Sequence, residues 1–156
     1  MYVRIIYIVH TLRKFMRIPM KVDYGVRALI HIAQKDPNQL VRTSEIAEGQ
    51  KIPEAYLDQV LTILKKHGII SSKRGPNGGH ELARSPDRIK LNDVVYALDQ
   101  KPESLKCKKH PGVCNFAKYC NQKTIWDEIE KTVDDYLSKI TIHELIKPKV
   151  SHAGDF

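Results

Sequence analysis

Ile69-Ile70-Ser71-Ser72-Lys73-Arg74-Gly75-Pro76-Asn77-Gly78-Gly79-His80-Glu81-Leu82-Ala83 is the stretch whose reading decides the fold. Two short runs with β-compatible residues, 69–74 and 80–83, flank the connection Gly75-Pro76-Asn77-Gly78-Gly79. Glycine reaches backbone conformations closed to other residues, and Pro-Asn pre-sets a turn, so the stretch reads as a β-hairpin with a glycine-rich tip.

Working upstream, the period changes from two to about 3.6. Tyr56, Leu57, Val60, Leu61 and Leu64 repeat at helical spacing, with Pro53 near the first turn and Gly68 as the stop, so a helix is expected over about residues 54–67. Before it, Ser44-Glu45-Ile46-Ala47-Glu48 reads as a short helix with Thr43 and Ser44 offering N-caps and an end around Gly49. Earlier still, Tyr24, Val26, Ala28, Leu29, Ile30, Ile32 and Ala33 form the broad apolar stripe of a helix opening at Asp23 and closing near Asp36-Pro37-Asn38. Three helices followed by a ribbon is the order of a winged helix-turn-helix, with 54–67 in the recognition role.

Downstream, Leu91, Val94, Val95 and Leu98 mark a fourth helix. After a cysteine-containing loop, Trp126, Ile129, Val133, Tyr136 and Ile140 step by three and four along a long amphipathic helix with Asp127, Glu128, Glu130, Lys131, Asp134 and Asp135 on its other face. The winged unit already has its core, so this narrow apolar seam reads as the contact face of a homodimer. The fold class is therefore mainly α: a winged helix-turn-helix with a small hairpin wing plus a long C-terminal dimerisation helix. The parts are a basic extension at 1–19, a winged unit at 20–100, a cysteine loop at 101–123, a dimerisation helix with a short terminal helix at 124–147, and a tail at 148–156.

Charge suggests the partner. With 26 Lys and Arg against 18 Asp and Glu, the formal charge is +8, which favours a polyanion. A helix fits the major groove of double-stranded DNA, and a glycine-tipped ribbon brings Lys73 and Arg74 to the backbone or minor groove. On the recognition helix, Ala55, Tyr56, Asp58 and Gln59 are not needed for the apolar stripe and are candidates for base edges and phosphates, as are Glu54 and Thr62. Ser44 and Gly78 complete the expected contact set, while Lys65 and Lys66 suit phosphates. The bland alternatives are a solvated helix face and a winged helix used for protein contacts. A dimer would present two recognition helices about one turn of DNA apart, so the operator should be roughly palindromic.

All three cysteines lie in Cys107-Lys-Lys-His110-Pro-Gly-Val-Cys114-Asn-Phe-Ala-Lys-Tyr-Cys120. An odd number clustered in one loop argues against a secreted disulfide framework and suits a reducing, cytoplasmic setting. Three thiolates turned on one point would hold a metal centre. His110 would complete a Cys3His set for structural zinc, although Pro111 holds it to extended backbone. A thiol switch between two cysteines is a third reading. Cys107 and His110 alone make no catalytic constellation, and neither a phosphate-binding loop nor a nucleophile elbow accompanies them, so an enzyme is not expected. The apolar run Ile5-Ile6-Tyr7-Ile8-Val9 is too short to span a bilayer, so no membrane partner is expected.

Met20-Lys-Val-Asp23-Tyr-Gly-Val-Arg27-Ala-Leu, Tyr56-Leu-Asp58-Gln59, Arg74-Gly-Pro-Asn-Gly-Gly79 and the cysteine loop followed by Trp126 together resemble the Rrf-two family of transcription regulators. The resemblance covers about residues 20–148 and implies a homodimeric winged helix-turn-helix regulator, either repressor or activator, of its cluster-binding branch. It implies Cys107, Cys114 and Cys120 as ligands of an iron–sulfur cluster, [2Fe-2S] or [4Fe-4S], that answers to redox state, nitric oxide or cluster supply. The first gap between cysteines, six residues here, is one longer than in the cluster-bearing members. One branch of the family completes its ligand set with a histidine at the position of Lys123, which lysine cannot replace. Another uses an aspartate from the partner subunit at the position of Asp23, making Asp23 the candidate fourth ligand, with a helix N-cap as its alternative role. A further branch represses cysteine metabolism.

Overall fold

The computed structural model describes residues 18–37, 39–99 and 120–146. In chain order they form α1 (Met20–Ala33), α2 (Thr43–Gln50), α3 (Glu54–Lys66), β1 (Ile70–Lys73), β2 (Gly79–Leu82), a short 3-10 turn (Pro86–Arg88), α4 (Leu91–Asp99), α5 (Asn121–Leu137) and α6 (Ile142–Ile146). The strands pair antiparallel with Ile70 opposite Leu82 and Lys73 opposite Gly79. Helices, then a hairpin, then a long helix confirm the mainly α winged helix-turn-helix architecture.

Helical spacing of apolar residues builds the core. Val22, Gly25, Ala28, Leu29 and Ile32 make the inner face of α1, and Leu57, Val60, Leu61 and Leu64 that of α3. Ile46, Ile69, Ile70, Ile89 and Val94 close around them with almost no exposure. Each fully buried side chain of this size contributes about 1.5–3 kcal/mol of transfer free energy. Ile142 joins the same core at 0 % exposure. Backbone bonds from Leu91 N to Ile140 O (2.8 Å) and from Ile142 N to Ile89 O (3.0 Å) bring the chain back onto the winged unit after α5.

Several local expectations need correction. Helix α1 opens at Met20, with Pro19 as N-cap and its carbonyl accepting from Val22 N and Asp23 N. Asp23 therefore sits one turn inside and is not an N-cap. Thr43 and Ser44 do not cap α2 either: Arg42 occupies the cap position, and no side chain bonds the free amides. The Thr43 hydroxyl faces the wing instead, 3.0 Å from His80 Nε2. Helix α2 runs through Gly49 to Gln50 and is ended by Lys51 in the left-handed region (φ 53°). Gly49 serves packing, because a Cβ there would lie 2.6 Å from His31 Cε1. Helix α5 spans Asn121–Leu137, so Ile140 is not on it. Ile140 lies in the connection to α6, where its carbonyl serves Leu91.

Candidate nucleic-acid interface and metal centre

Helix α3 turns Glu54, Ala55, Tyr56, Asp58, Gln59, Thr62, Lys65 and Lys66 outward, since its apolar residues are committed to the core. Between this face and the wing lies an open cleft of about 530 Å³. Arg42, Lys65, Lys73 and Arg74 bring four cations to its walls, against the single carboxylate of Asp58. Thr43, Thr62, Ser72 and His80 add hydroxyls and an imidazole, and Gly78 lies at its wing side. A concave surface of this charge and hydrogen-bonding capacity suits a phosphate-bearing strand.

Of the residues expected at a DNA interface, Asp58, Lys73, Arg74 and Gly78 line the cleft. Ala55, Tyr56 and Gln59 are exposed on α3 and Ser44 on α2, all outside the cleft lining. The Tyr56 ring meets Tyr24 edge-on, with centroids 5.5 Å apart. Arg42, Thr43, Ser72 and His80 are additions that sequence reasoning missed. Their placement depends on Val41, which pairs with His80 through Val41 N to His80 O (2.9 Å) and His80 N to Val41 O (2.8 Å). Arg42 then reaches the turn, donating from Nη2 to Pro76 O at 2.5 Å. A basic residue directly before a predicted helix was the only signal available.

The wing is held by close backbone approach. A Cβ on Gly78 would run into Lys73 O, and Gly78 N donates to Gly75 O at 2.9 Å. At Gly79, a positive φ of 157° combines with Val41 O 2.8 Å from where a Cβ would stand. His80 follows directly, with Ser72 Oγ 2.8 Å from its Nδ1 and Thr43 Oγ1 3.0 Å from its Nε2. Burial pushes its pKa below the ordinary histidine value, with Lys65 adding to this and Asp58 opposing it.

Cys107, Cys114 and His110 lie outside the described residues. Cys120 is a partly exposed free thiol at the N-cap of α5. Asp23, its side chain 50 % exposed, lies 3.5 Å from Arg27 Nη1. Arg27 also donates to Gln50 O at the end of α2, and its guanidinium stands 5.7 Å from the Tyr24 ring centroid. Contacts thus run from Asp23 through Arg27 to α2, and through Tyr24 to Tyr56 on α3.

Along α5, Ile125, Ile129, Val133 and Tyr136 are exposed, at 36–65 %. Trp126 is half-buried, and Ile125 takes the place on the exposed stripe that spacing assigned to it. On the opposite side Asp134 accepts from Asn92 Nδ2 at 3.2 Å and from the Tyr96 hydroxyl, fastening α5 to α4. Burial and this bond raise the Tyr96 pKa to about 12. No helix among the described residues is long and apolar enough to cross a membrane.

A hairpin wing beside an exposed helix-turn-helix face defines a winged helix-turn-helix DNA-binding protein. The chain belongs to the Rrf2 family of transcriptional regulators, described as iron-dependent, which matches residues 18–148. It is 32% identical over 134 residues to the HTH-type transcriptional regulator IscR of Pectobacterium carotovorum, covering 86% of this chain and 81% of that protein. It is 33% identical over 132 residues to protein rrf2 of Nitratidesulfovibrio vulgaris, covering 85% and 88%. Among solved structures it resembles T. potens IscR (TM-score 0.69, 30% identity, 90% and 93% coverage). It also resembles CymR, the global cysteine regulator of B. subtilis (TM-score 0.68, 26% identity, 84% and 96% coverage). These relatives are regulators rather than enzymes, and this chain is a DNA-binding transcriptional regulator.

Proposed function

We propose that the protein is a homodimeric regulator whose promoter affinity is controlled by an iron–sulfur cluster held by Cys107, Cys114 and Cys120, with Asp23 as fourth ligand from the partner subunit. Soft thiolates suit iron, and neither Cys120 nor Asp23 is buried in the core. When bound, the cluster would supply a centre that oxidants, nitric oxide or iron supply can alter. The exposed stripe of Ile125, Ile129, Val133 and Tyr136 supports pairing with a second copy, and two α3 helices would then read a roughly palindromic operator. A reducing cytoplasm suits both the thiols and the DNA partner.

Arg27 carries the reading, because one side chain contacts the candidate ligand, the end of α2 and the aromatic pair leading to α3. Drawing the Asp23 carboxylate aside leaves Arg27 tied to Gln50 and Tyr24 alone, and the recognition helix feels the change through Tyr56. A coupling of about 1–3 kcal/mol alters DNA affinity by roughly 5- to 150-fold. Likeness to a cysteine regulator favours one second reading, in which the same thiols hold structural zinc with His110 or form a redox switch.

Anaerobic purification with absorption spectroscopy and iron, sulfide and zinc assays tests both. Visible absorption with iron and sulfide in near-equal amounts is expected; a colourless protein with stoichiometric zinc, or with none and a disulfide on oxidation, establishes the alternative. Asp23→Ala should melt at nearly the wild-type temperature yet lose cluster absorption faster in air, and an identical decay removes Asp23 from the ligand set.

A further inference from the structure

The His80 ring is bonded on both nitrogens by hydroxyls that belong to two different elements and that both line the cleft. Thr43 comes from the first turn of α2, and Ser72 from β1. The backbone of His80 is meanwhile paired with Val41, so the ring joins the wing to the helix-turn-helix at their seam. The charged groups around it are Asp58 and Lys65 from α3, Arg42 ahead of α2, and Lys73 and Arg74 from the wing.

A neutral imidazole has one N–H donor and one lone pair. Between two hydroxyls it must therefore accept a hydrogen bond from one and donate one to the other. Either Thr43 or Ser72 is thus committed to the ring and is not available as a donor to anything in the cleft. When the ring takes a proton from solvent, both nitrogens donate, both hydroxyls become acceptors toward the ring, and the released hydroxyl proton is free to point at an incoming oxygen. We propose that His80 is a proton-linked positioning residue for DNA binding, which on protonation turns a Thr43 or Ser72 hydroxyl and its own charge toward a phosphate seated between α3 and the wing.

This rests on the reading that DNA occupies the cleft. In the free protein, burial favours the uncharged ring, while Asp58 opposes this and Lys65 adds to it. That neutral state adds stability which is complete above the ordinary histidine range and is lost as pH falls through the lowered value. A phosphate in the cleft adds negative charge on the same side of the balance as Asp58 and offsets Lys65, so binding takes up a proton and affinity rises as pH falls.

Full-length protein is titrated into a duplex that it has itself selected from a random-sequence library, at constant ionic strength between about pH 8 and about pH 5.5. Wild type is expected to tighten by about three- to tenfold relative to His80→Gln, since a one-unit rise in pKa on binding is worth a factor of ten. Gln keeps a donor and an acceptor but does not titrate, and the other six histidines of the sequence are common to both proteins. Parallel pH profiles overturn the proposal. Should His80→Gln fail to fold, the imidazole of His80 is followed by NMR in wild type with and without duplex. An upward move of its midpoint on binding is expected, and an unchanged or lowered midpoint overturns the proposal. Lys73→Ala with Arg74→Ala separates the two ideas: undiminished affinity at every pH removes DNA from the cleft, whereas weakened binding beside parallel profiles removes only the role of His80.

Discussion

Lys65 and Lys73 line one cleft from different elements, and each sets a full charge where a DNA phosphate would displace counterions. Replacing either by Ala should weaken binding to every duplex alike and lower the slope of log affinity against log salt by about 1. Binding measured at several salt concentrations checks this, and an unchanged slope would show that the side chain touches no phosphate. At this scale Lys73, Arg74 and Asp58 were legible in the sequence, because a cation beside a glycine turn or a polar residue off an apolar stripe announces its exposure. Arg42 and His80 were not. Both are placed by the bridge between Val41 and His80, which joins segments distant in the chain and leaves no periodic trace. Asp23 was singled out as a candidate ligand by resemblance alone, and its ion pair with Arg27 was not legible because it depends on a helix that starts earlier than its apolar pattern does.

At the scale of elements, the wing is set by glycine packing rather than by its short strands. Gly78→Ala places a methyl group against Lys73 O, a backbone atom that cannot swing away, and should cost about 1–3 kcal/mol. Thermal denaturation is expected to show a lowered midpoint, and an unaltered one would mean that the turn relaxes freely. Helix α5 has a different dependence. Ile129→Asp puts a charge in the middle of its exposed stripe while touching none of the winged core, so sedimentation should report monomers with unchanged helix content. A surviving dimer places the subunit contact elsewhere. Helices α3 and α4 matched their sequence patterns closely because apolar residues at i, i+3 and i+4 coincide with their buried faces. Helix ends matched less well, since Arg42 and Lys51 bound α2 without any side-chain signal and Ile140 continues the spacing of α5 after the helix has stopped.

For the molecule as a whole, the sensing hypothesis predicts a loss of linkage rather than of folding. Changing Cys107, Cys114 and Cys120 together to Ser should leave operator binding indifferent to chelators and oxidants, whereas wild type shifts by roughly 5- to 150-fold. Equal responses from both proteins would detach the cysteines from regulation. The architecture was legible from the order of periodicities, but the return of α6 was not, because five residues carry too short a pattern to show which surface they meet. That return has a practical consequence for anyone wishing to isolate a minimal DNA reader. Trimming the chain after Leu137 would leave a hole where Ile142 sits and strip Ile89 of its backbone partner, so the DNA-reading half is not a detachable cassette. Any graft of this reader onto another sensor must carry its last helix along, and a tag is better tolerated beyond that helix than within the bend before it.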